Sequence, residues 1–98
     1  MYLVSFSKQA SRDKILLKAV GLEQKTKSIL SILMENPFQN PPPYEKLIGN
    51  LSGFYSRRIN LQHRLVYKIE ENTGQLKNPA GEIYEGIVYV KRMWTHYE

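Results

Sequence analysis

Two consecutive stretches of helical periodicity constrain the fold of this 98-residue chain more than any other feature. The first follows Ser7, whose side chain can cap a helix, and it ends at Gly21. The second carries side chains at the spacing of one helix face, namely Leu22, Thr26, Ile29, Leu30 and Leu33. It ends before Pro37, because proline disfavours the helical conformation of the residue before it. Since the link is short, we expect an antiparallel helical hairpin whose apolar stripe faces the core.

Strand-like patterns flank the hairpin on both sides. Residues 2 to 6 alternate in the manner of a half-buried strand. Three further strand candidates follow the hairpin, at residues 54 to 59, 64 to 69 and 83 to 94. The short link between the first two predicts that they pair as a β-hairpin. The order predicts one α+β domain over residues 1 to 98, with an amino-terminal strand, a two-helix hairpin and an antiparallel sheet. The helices should cover one sheet face and leave the other for function.

Charge and composition narrow the class of protein. A formal net charge of +5 indicates a polyanionic partner, either nucleic acid, an acidic protein or an anionic membrane surface. A basic protein with no special partner is the alternative. The absence of cysteine excludes disulfides, thiolate metal sites and cysteine nucleophiles. The amino-terminal apolar run is too short for a signal peptide, and no stretch has the length of a membrane span. We therefore expect a cytoplasmic protein that does not contact a membrane.

Most signatures of enzymatic chemistry are missing from the chain. It has no glycine-rich phosphate loop, no HExxH and no Gly-x-Ser-x-Gly, and two distant histidines without cysteine do not fit a structural zinc site. An acid, a few bases and a basic surface remain, which suffice for metal-free cleavage of RNA. In that reaction the ribose 2'-hydroxyl attacks the adjacent phosphorus. It needs a base for the hydroxyl proton, cations for the charge of the phosphorane and an acid for the leaving 5'-oxygen.

The most specific motif is a central run, NLSGFYSRRI at residues 50 to 59, followed by HRLVY at residues 63 to 67. This run resembles the "NLSGFWSRRI...EHRLVY" hallmark of the Txe/YoeB branch of the RelE toxin superfamily. The ending Thr95-His96-Tyr97 resembles that family's terminal His-Tyr, and the helical hairpin with Pro37-Phe38 also falls where the family has it. The resemblance implies a RelE-like fold, related to the barnase-like microbial ribonucleases. It also implies the toxin of a type II toxin–antitoxin system.

The activity implied by the resemblance is that of an mRNA interferase, a ribosome-dependent endoribonuclease that inhibits translation. Glu45 falls on the general base for the 2'-hydroxyl, and Arg64 on the arginine that stabilises the phosphorane. His96 falls on the general acid, and Tyr97 on the aromatic residue that holds the substrate. The resemblance implies neither a metal ion nor a cofactor. Taken singly, these residues would more often be ordinary surface or edge residues, and it is their joint match that favours the site.

A second group of residues could bind the RNA backbone, and it comprises Lys46, Arg57, Arg58, Lys91 and Arg92. Arg57 and Arg58 point to opposite faces of a strand, so at most one readily faces RNA. The other would make ion pairs at the sheet edge. The two lysines and Arg92 could equally be solvated surface charges. His63 is the competing histidine, which we interpret as structural, and Tyr55 and Trp94 can either stack on bases or pack in the core.

The resemblance also implies partners. These are an acidic, Phd/YefM-like antitoxin that folds onto the basic groove, the ribosome with its mRNA, and operator DNA through the antitoxin complex. A second copy of the chain, as a homodimer, is a further candidate. The alternative function is a catalytically inactive RelE-fold binding protein, which acts with an antitoxin as a DNA-bound repressor component.

Three departures from the family pattern accompany the resemblance. The segment from Glu70 to Gly86 is longer than in typical members, and we expect a lengthened hairpin or a flap there. Three prolines at residues 41 to 43 should stiffen the loop beside Glu45. Glu98 places an additional carboxylate after Tyr97, close to the expected site.

Overall fold

The computed structural model describes residues 1 to 94 of the chain. These residues form one five-stranded sheet and two α-helices. The strands are β1 (Leu3–Phe6), β2 (Glu45–Lys46), β3 (Tyr55–Arg58), β4 (Arg64–Glu70) and β5 (Ile87–Arg92). The helices are α1 (Lys8–Ala19) and α2 (Glu23–Glu35), and a short 3-10 helix spans Gly49–Leu51. The predicted α+β architecture is therefore confirmed.

The helical hairpin forms where the periodicity predicts it. Ser7 caps α1, because the backbone N–H of Ala10 donates to its Oγ at 2.9 Å. The stripe on α2 faces inward, with Thr26, Ile29 and Leu33 buried. The helix ends at Glu35, before the proline, as expected from the sequence.

The sheet has the order β1-β5-β4-β3-β2 and is mixed rather than wholly antiparallel. Strands β2 to β5 pair in antiparallel fashion, and β3 and β4 form the predicted hairpin. β1 lies parallel to β5, which corrects the prediction of an antiparallel sheet for this strand. Both helices and three strands separate β1 from β5 in the chain, so no tight turn joins these two strands and they can pair in parallel.

The two faces of the sheet have different surroundings. One face packs against the helices in a core formed by Ala10, Leu17, Ile29, Leu33, Ile59, Leu65, Tyr67, Val88, Val90 and Met93. Side chains alternate along a strand, so neighbours of these core residues, such as Arg64, Val66 and Lys68 in β4, point to the opposite face. The helices pack on the first face only, and the second is available for a functional site, as predicted.

The segment between β4 and β5 is a folded extension held by asparagine side chains. Asn72 Nδ2 donates to the carbonyl oxygens of Leu76 at 3.0 Å and Tyr84 at 3.1 Å, and its Oδ1 accepts from the N–H of Leu76. A single β-bridge pairs Lys77 with Ile83. The predicted final strand over residues 83 to 94 is therefore too long, because the chain enters β5 only at Ile87. Within residues 1 to 94, neither helix has the length and apolar character needed to cross a membrane.

Candidate active site

Glu45 and Arg64 meet on the face of the sheet that the helices leave open. Glu45 begins the edge strand β2 and Arg64 begins β4, and β3 lies between them. Arg64 Nη2 lies 3.2 Å from Glu45 Oε1, and its Nε donates to the Oγ of Ser56 at 2.7 Å. The Arg64 side chain is 9% exposed, whereas that of Glu45 is 63% exposed. The guanidinium is thus held in a fixed orientation, and the carboxylate remains accessible.

The register of the sheet brings these side chains together. Glu45 pairs with Ser56 across β2 and β3, and Arg58 pairs with Arg64 across β3 and β4. Because residues two apart in a strand share a face, Ser56 and Arg58 both lie on the face of Arg64. Beyond β2, Leu47 is buried and its N–H donates to the carbonyl oxygen of Phe54 at 2.9 Å. This anchor keeps Glu45 at the sheet edge.

A cavity of about 250 Å³ lies between these residues, lined by Pro43, Tyr44, Glu45, Arg58 and Arg64. It combines two guanidinium groups with one carboxylate. Guanidinium groups bind phosphate oxygens through paired N–H donors, and an exposed carboxylate can accept a proton from a hydroxyl group. The cavity therefore has the groups needed to bind a phosphodiester and to deprotonate a neighbouring hydroxyl.

Arg57 holds the loop that leads to Glu45. Its guanidinium donates to the carbonyl oxygens of Pro37 at 2.9 Å, Gln39 at 2.8 Å and Pro42 at 2.7 Å. It also donates to the Tyr67 hydroxyl at 3.1 Å and lies over the ring of Tyr44. With an exposure of 1%, it does not reach RNA, so its prediction as an RNA-binding residue is wrong. The expected ion pair at the sheet edge is also wrong, because its partners are carbonyl oxygens and a phenol.

Tyr67 completes this network below the loop. Burial raises the pKa of the Tyr67 hydroxyl, although the neighbouring Arg57 opposes this change. The hydroxyl stays protonated near neutral pH and donates to the carbonyl oxygen of Pro37 at 3.0 Å. Tyr55 packs between the rings of Tyr67 and Tyr44, with centroids 5.7 Å and 5.8 Å away. Packing, rather than base stacking, therefore accounts for Tyr55.

The remaining predicted site residues are spread over the open face and its borders. Lys46 is exposed on β2, and Arg58 is exposed beside the cavity. Lys91 and Arg92 are half-buried at the end of β5, where Arg92 lies near Gln9, Asp13 and Trp94. His96 and Tyr97 lie outside the described residues. His63 is buried and stacks on Trp94, with ring centroids 4.1 Å apart.

Two buried polar residues were not singled out from the sequence. Ser56 holds Arg64, and strand alternation, which places it on the face of Arg58, could have indicated this role. Asp13 in α1 is fully buried and accepts from the backbone N–H of Met93 at 2.8 Å. No local signal marks Asp13, because its partner is 80 residues away in the chain. Within residues 1 to 94, His, Asp and Glu side chains do not gather in groups of three that could hold a metal ion.

Comparisons with known sequences indicate a toxin family. A family model described as a YoeB-like toxin of bacterial type II toxin–antitoxin systems matches residues 6–78. A curated "Toxin YoeB" from Synechocystis sp. is 42% identical over 59 residues, which are 60% of this chain and 62% of that protein. Another "Toxin YoeB", from Escherichia coli O6:H1, is 40% identical over 50 residues, or 51% of this chain and 60% of that protein. The matches thus span about three fifths of the length of these curated relatives.

Solved structures match over nearly the whole chain. The "YoeB/ParE toxin from Agrobacterium tumefaciens" superimposes with a TM-score of 0.78 over 97% of this chain and 99% of that one. Its sequence identity of 20% means that this likeness shows the fold alone. A "YoeB-YefM complex from Staphylococcus aureus" contains a chain that is 28% identical, with a TM-score of 0.72 over 99% of both chains.

Proposed function

The chain belongs to the family of YoeB-like toxins of bacterial type II toxin–antitoxin systems, and we propose from this that it is an endoribonuclease that cleaves mRNA on the ribosome. We propose that the whole of residues 1 to 98 is one toxin domain and that it acts in the cytoplasm. The observation that supports this function best is the contact between Arg64 and Glu45 in the cavity on the open face. One carboxylate and two guanidinium groups there suit a phosphodiester next to a 2'-hydroxyl.

The proposed reaction begins with transfer of the 2'-hydroxyl proton to the Glu45 carboxylate. The 2'-oxygen forms a bond to the adjacent phosphorus, and Arg64 donates hydrogen bonds to the phosphorane oxygens, where negative charge develops. Ser56 fixes the plane of the guanidinium through its bond to Nε. His96 gives a proton to the 5'-oxygen as the phosphorus–oxygen bond breaks, and Tyr97 holds the substrate. The products are a 2',3'-cyclic phosphate, or a 3'-phosphate after hydrolysis, and a 5'-hydroxyl. No metal ion takes part, and DNA, which lacks the nucleophile, is not cleaved.

The proposed partners follow from the family and from the charge. We infer that an acidic antitoxin of the Phd/YefM kind binds the basic face, since a homologous chain occurs in a "YoeB-YefM complex". The antitoxin would cover the cavity and bring the pair to operator DNA. A "YoeB dimer" is among the similar structures, so a homodimer is included in the proposal. Docking to ribosomal RNA is favoured by the net charge of +5.

The deciding experiment is single-turnover cleavage of mRNA on programmed ribosomes by the wild type and by Glu45→Gln, Arg64→Ala and His96→Gln. Loss of a cation over the phosphorane should lower the rate on the order of 10²-fold or more, judged from removal of a comparable oxyanion donor. Loss of the base or the acid should cost on the order of 10²–10⁴-fold. Lys77→Gln is the control, because this exposed lysine lies in the segment between β4 and β5.

Two outcomes would reject the proposal. One is full activity in all three folded variants, and the other is a requirement for Mg²⁺ in the chemical step, tested apart from ribosome integrity. The alternative is a catalytically inactive binding protein that acts with an antitoxin as a DNA-bound repressor component. Expression of the wild type without a partner separates the two, because a ribonuclease toxin arrests growth and an inert binder does not.

A further inference from the structure

Four side chains on the open face form a second cluster beyond the cavity, composed of Phe54, Lys68, Tyr89 and Lys91, which we call the aromatic–lysine cluster. Lys68 Nζ lies 5.5 Å from the ring centroid of Phe54 and 5.4 Å from that of Tyr89. Lys91 Nζ lies 5.6 Å from the ring centroid of Phe54. All four residues are half-buried, so their rings and ammonium groups are accessible in part.

Within residues 1 to 94, only one of the two ammonium groups of the cluster lies beside a carboxylate. Two ammonium groups approach the same phenyl ring, that of Phe54. Lys68 has an acidic neighbour, because its Nζ lies 3.5 Å from Glu70 Oε2. Lys91 has no carboxylate within 4.0 Å among residues 1 to 94. Two ammonium groups beside aromatic rings can bind an anionic group such as a phosphate.

The cluster is aligned with the candidate active site. Lys68 follows Arg64 by four residues in β4, on the same face, which corresponds to about 13 Å at the usual rise of a strand. Lys68 pairs with Tyr89 in β5, and an irregularity in the pairing leaves Lys91 without a register partner in β4. A strand of RNA with one phosphate at Arg64 would therefore reach the cluster a short distance along its backbone.

We propose that the aromatic–lysine cluster is a nucleotide subsite for single-stranded RNA next to the cleaved bond. Lys68 and Lys91 bind the phosphate, and a base stacks on Phe54 or Tyr89. Cationic grooves interleaved with aromatic rings bind single strands in this manner. In the free protein the ammonium groups cover the rings, and these weak contacts are exchanged for the phosphate, which frees an aromatic face for the base. This inference rests on the proposed function, because it takes the cavity to hold the cleaved phosphodiester.

The test combines a protein variant with a modified substrate. Programmed ribosomes carry mRNA with a single abasic nucleotide at successive positions on either side of the cleaved bond. Wild type and Phe54→Leu are compared in single-turnover cleavage, and Tyr89→Leu is the second variant. The loss of one stacked base should slow the wild type on the order of tenfold at one position. Phe54→Leu or Tyr89→Leu should be slow on unmodified mRNA and should lose little more at that position, because the stacking is already absent.

The lysines are tested in the same way with an uncharged methylphosphonate in place of single phosphates. Lys68→Gln and Lys91→Gln should be insensitive to the modification at one flanking position where the wild type is sensitive. Lys77→Gln, which removes the same charge from an exposed site, should behave as the wild type. Thermal unfolding of each variant excludes a loss of structure. The subsite would be overturned if, at every mRNA position, the rate reductions from the variant and from the modification multiply. Weaker binding to ribosomes regardless of the mRNA would also overturn it, and would place the cluster on ribosomal RNA.

Failure of the subsite and failure of the proposed function are distinguishable. If the wild type cleaves mRNA, and the rate reductions from the protein variant and from the modified nucleotide multiply, the function holds and the subsite is rejected. If the wild type does not cleave, the proposed function is rejected, and fluorescence anisotropy with a short single-stranded RNA tests the subsite alone. In that case Phe54→Leu should weaken binding to the intact RNA but not to its abasic counterpart. Equal weakening for both would reject the subsite.

Discussion

Arg57 and Arg58 are neighbours in sequence with opposite environments. Alternation along β3 turns Arg57 toward the helices, where it is 1% exposed, and turns Arg58 toward the open face beside Glu45 and Arg64. The alternation itself could be predicted from the sequence. Which arginine lies inside could not, because the partners of Arg57 are backbone carbonyls of a loop 15 to 20 residues earlier, and a sequence pattern does not reveal such partners.

This difference predicts unequal effects on stability. Arg57→Met should lower the free energy of unfolding by about 3 kcal/mol, since it removes the charged donor from three loop carbonyl oxygens that are buried or partly buried. Arg58→Met should change it by no more than about 0.5 kcal/mol, because the side chain is exposed. Urea denaturation followed by tryptophan fluorescence measures both. If Arg57→Met lowers the free energy of unfolding no more than Arg58→Met does, Arg57 does not stabilise the loop.

The predicted catalytic pair, Glu45 and Arg64, shows how much of the site could be predicted from single residues. Composition and spacing do not bring Glu45 and Arg64 together, and it was the resemblance to the family that selected them. The structure brings the two side chains to 3.2 Å, through a register of three strands. Their roles in catalysis stay a prediction, as do those of His96 and Tyr97.

At the level of elements, α1 is joined to the end of β5 at two points. Ser7 Oγ donates to the carbonyl oxygen of Lys91 at 2.6 Å, and the buried Asp13 accepts from the N–H of Met93. The second carboxylate oxygen of Asp13 accepts from Gln9 Nε2 at 2.8 Å. These bonds fix the point at which the chain leaves the sheet and continues toward residues 95 to 98.

Replacing Asp13 should therefore loosen this junction. Asp13→Ala should lower the free energy of unfolding by about 1–3 kcal/mol, because the buried N–H of Met93 loses its acceptor. Asp13→Asn should retain most of the stability, since the amide oxygen can still accept from Met93 while Gln9 turns its own amide. Chemical denaturation of both variants gives the comparison. If Ala and Asn are equally destabilising, the carboxylate charge, rather than the hydrogen bond to Met93, is what matters.

Helices and strands could be predicted where the sequence pattern was long. They could not be predicted where an element depends on which strands pair. α1 has a clear cap at Ser7, α2 has a clear apolar stripe, and the β3–β4 hairpin has a short connection, so all three were predictable. β2 has only two residues, too few for any alternation, and it exists because β3 offers it an edge. The parallel pairing of β1 with β5 joins residues far apart in sequence, which local patterns do not report.

At the scale of the whole molecule, the electrostatic field at the cavity depends more on where the charges lie than on the net charge. Residues 70 to 86 contain four of the nine acidic residues and one of the fourteen basic ones. This segment begins at Glu70, the last residue of β4, whereas Arg64 begins that strand six residues earlier. At the usual rise of a strand the two ends lie about 20 Å apart, which exceeds the screening length of about 8 Å at physiological salt. At physiological salt the acidic segment therefore leaves the field at the cavity largely unchanged.

The rate of association with the proposed acidic antitoxin should consequently depend on local charge, and stopped-flow fluorescence over a range of KCl concentrations measures it. Arg58→Gln should slow association at low salt, because it removes a cation beside the cavity, and the difference from wild type should vanish as salt rises. Glu82→Gln raises the net charge by the same amount that Arg58→Gln lowers it, yet at physiological salt it should leave the rate nearly unchanged, because its charge is screened over about 20 Å. Equal and opposite effects of the two variants would mean that net charge governs the encounter. A rate for the wild type that does not depend on salt would mean that apolar contacts do.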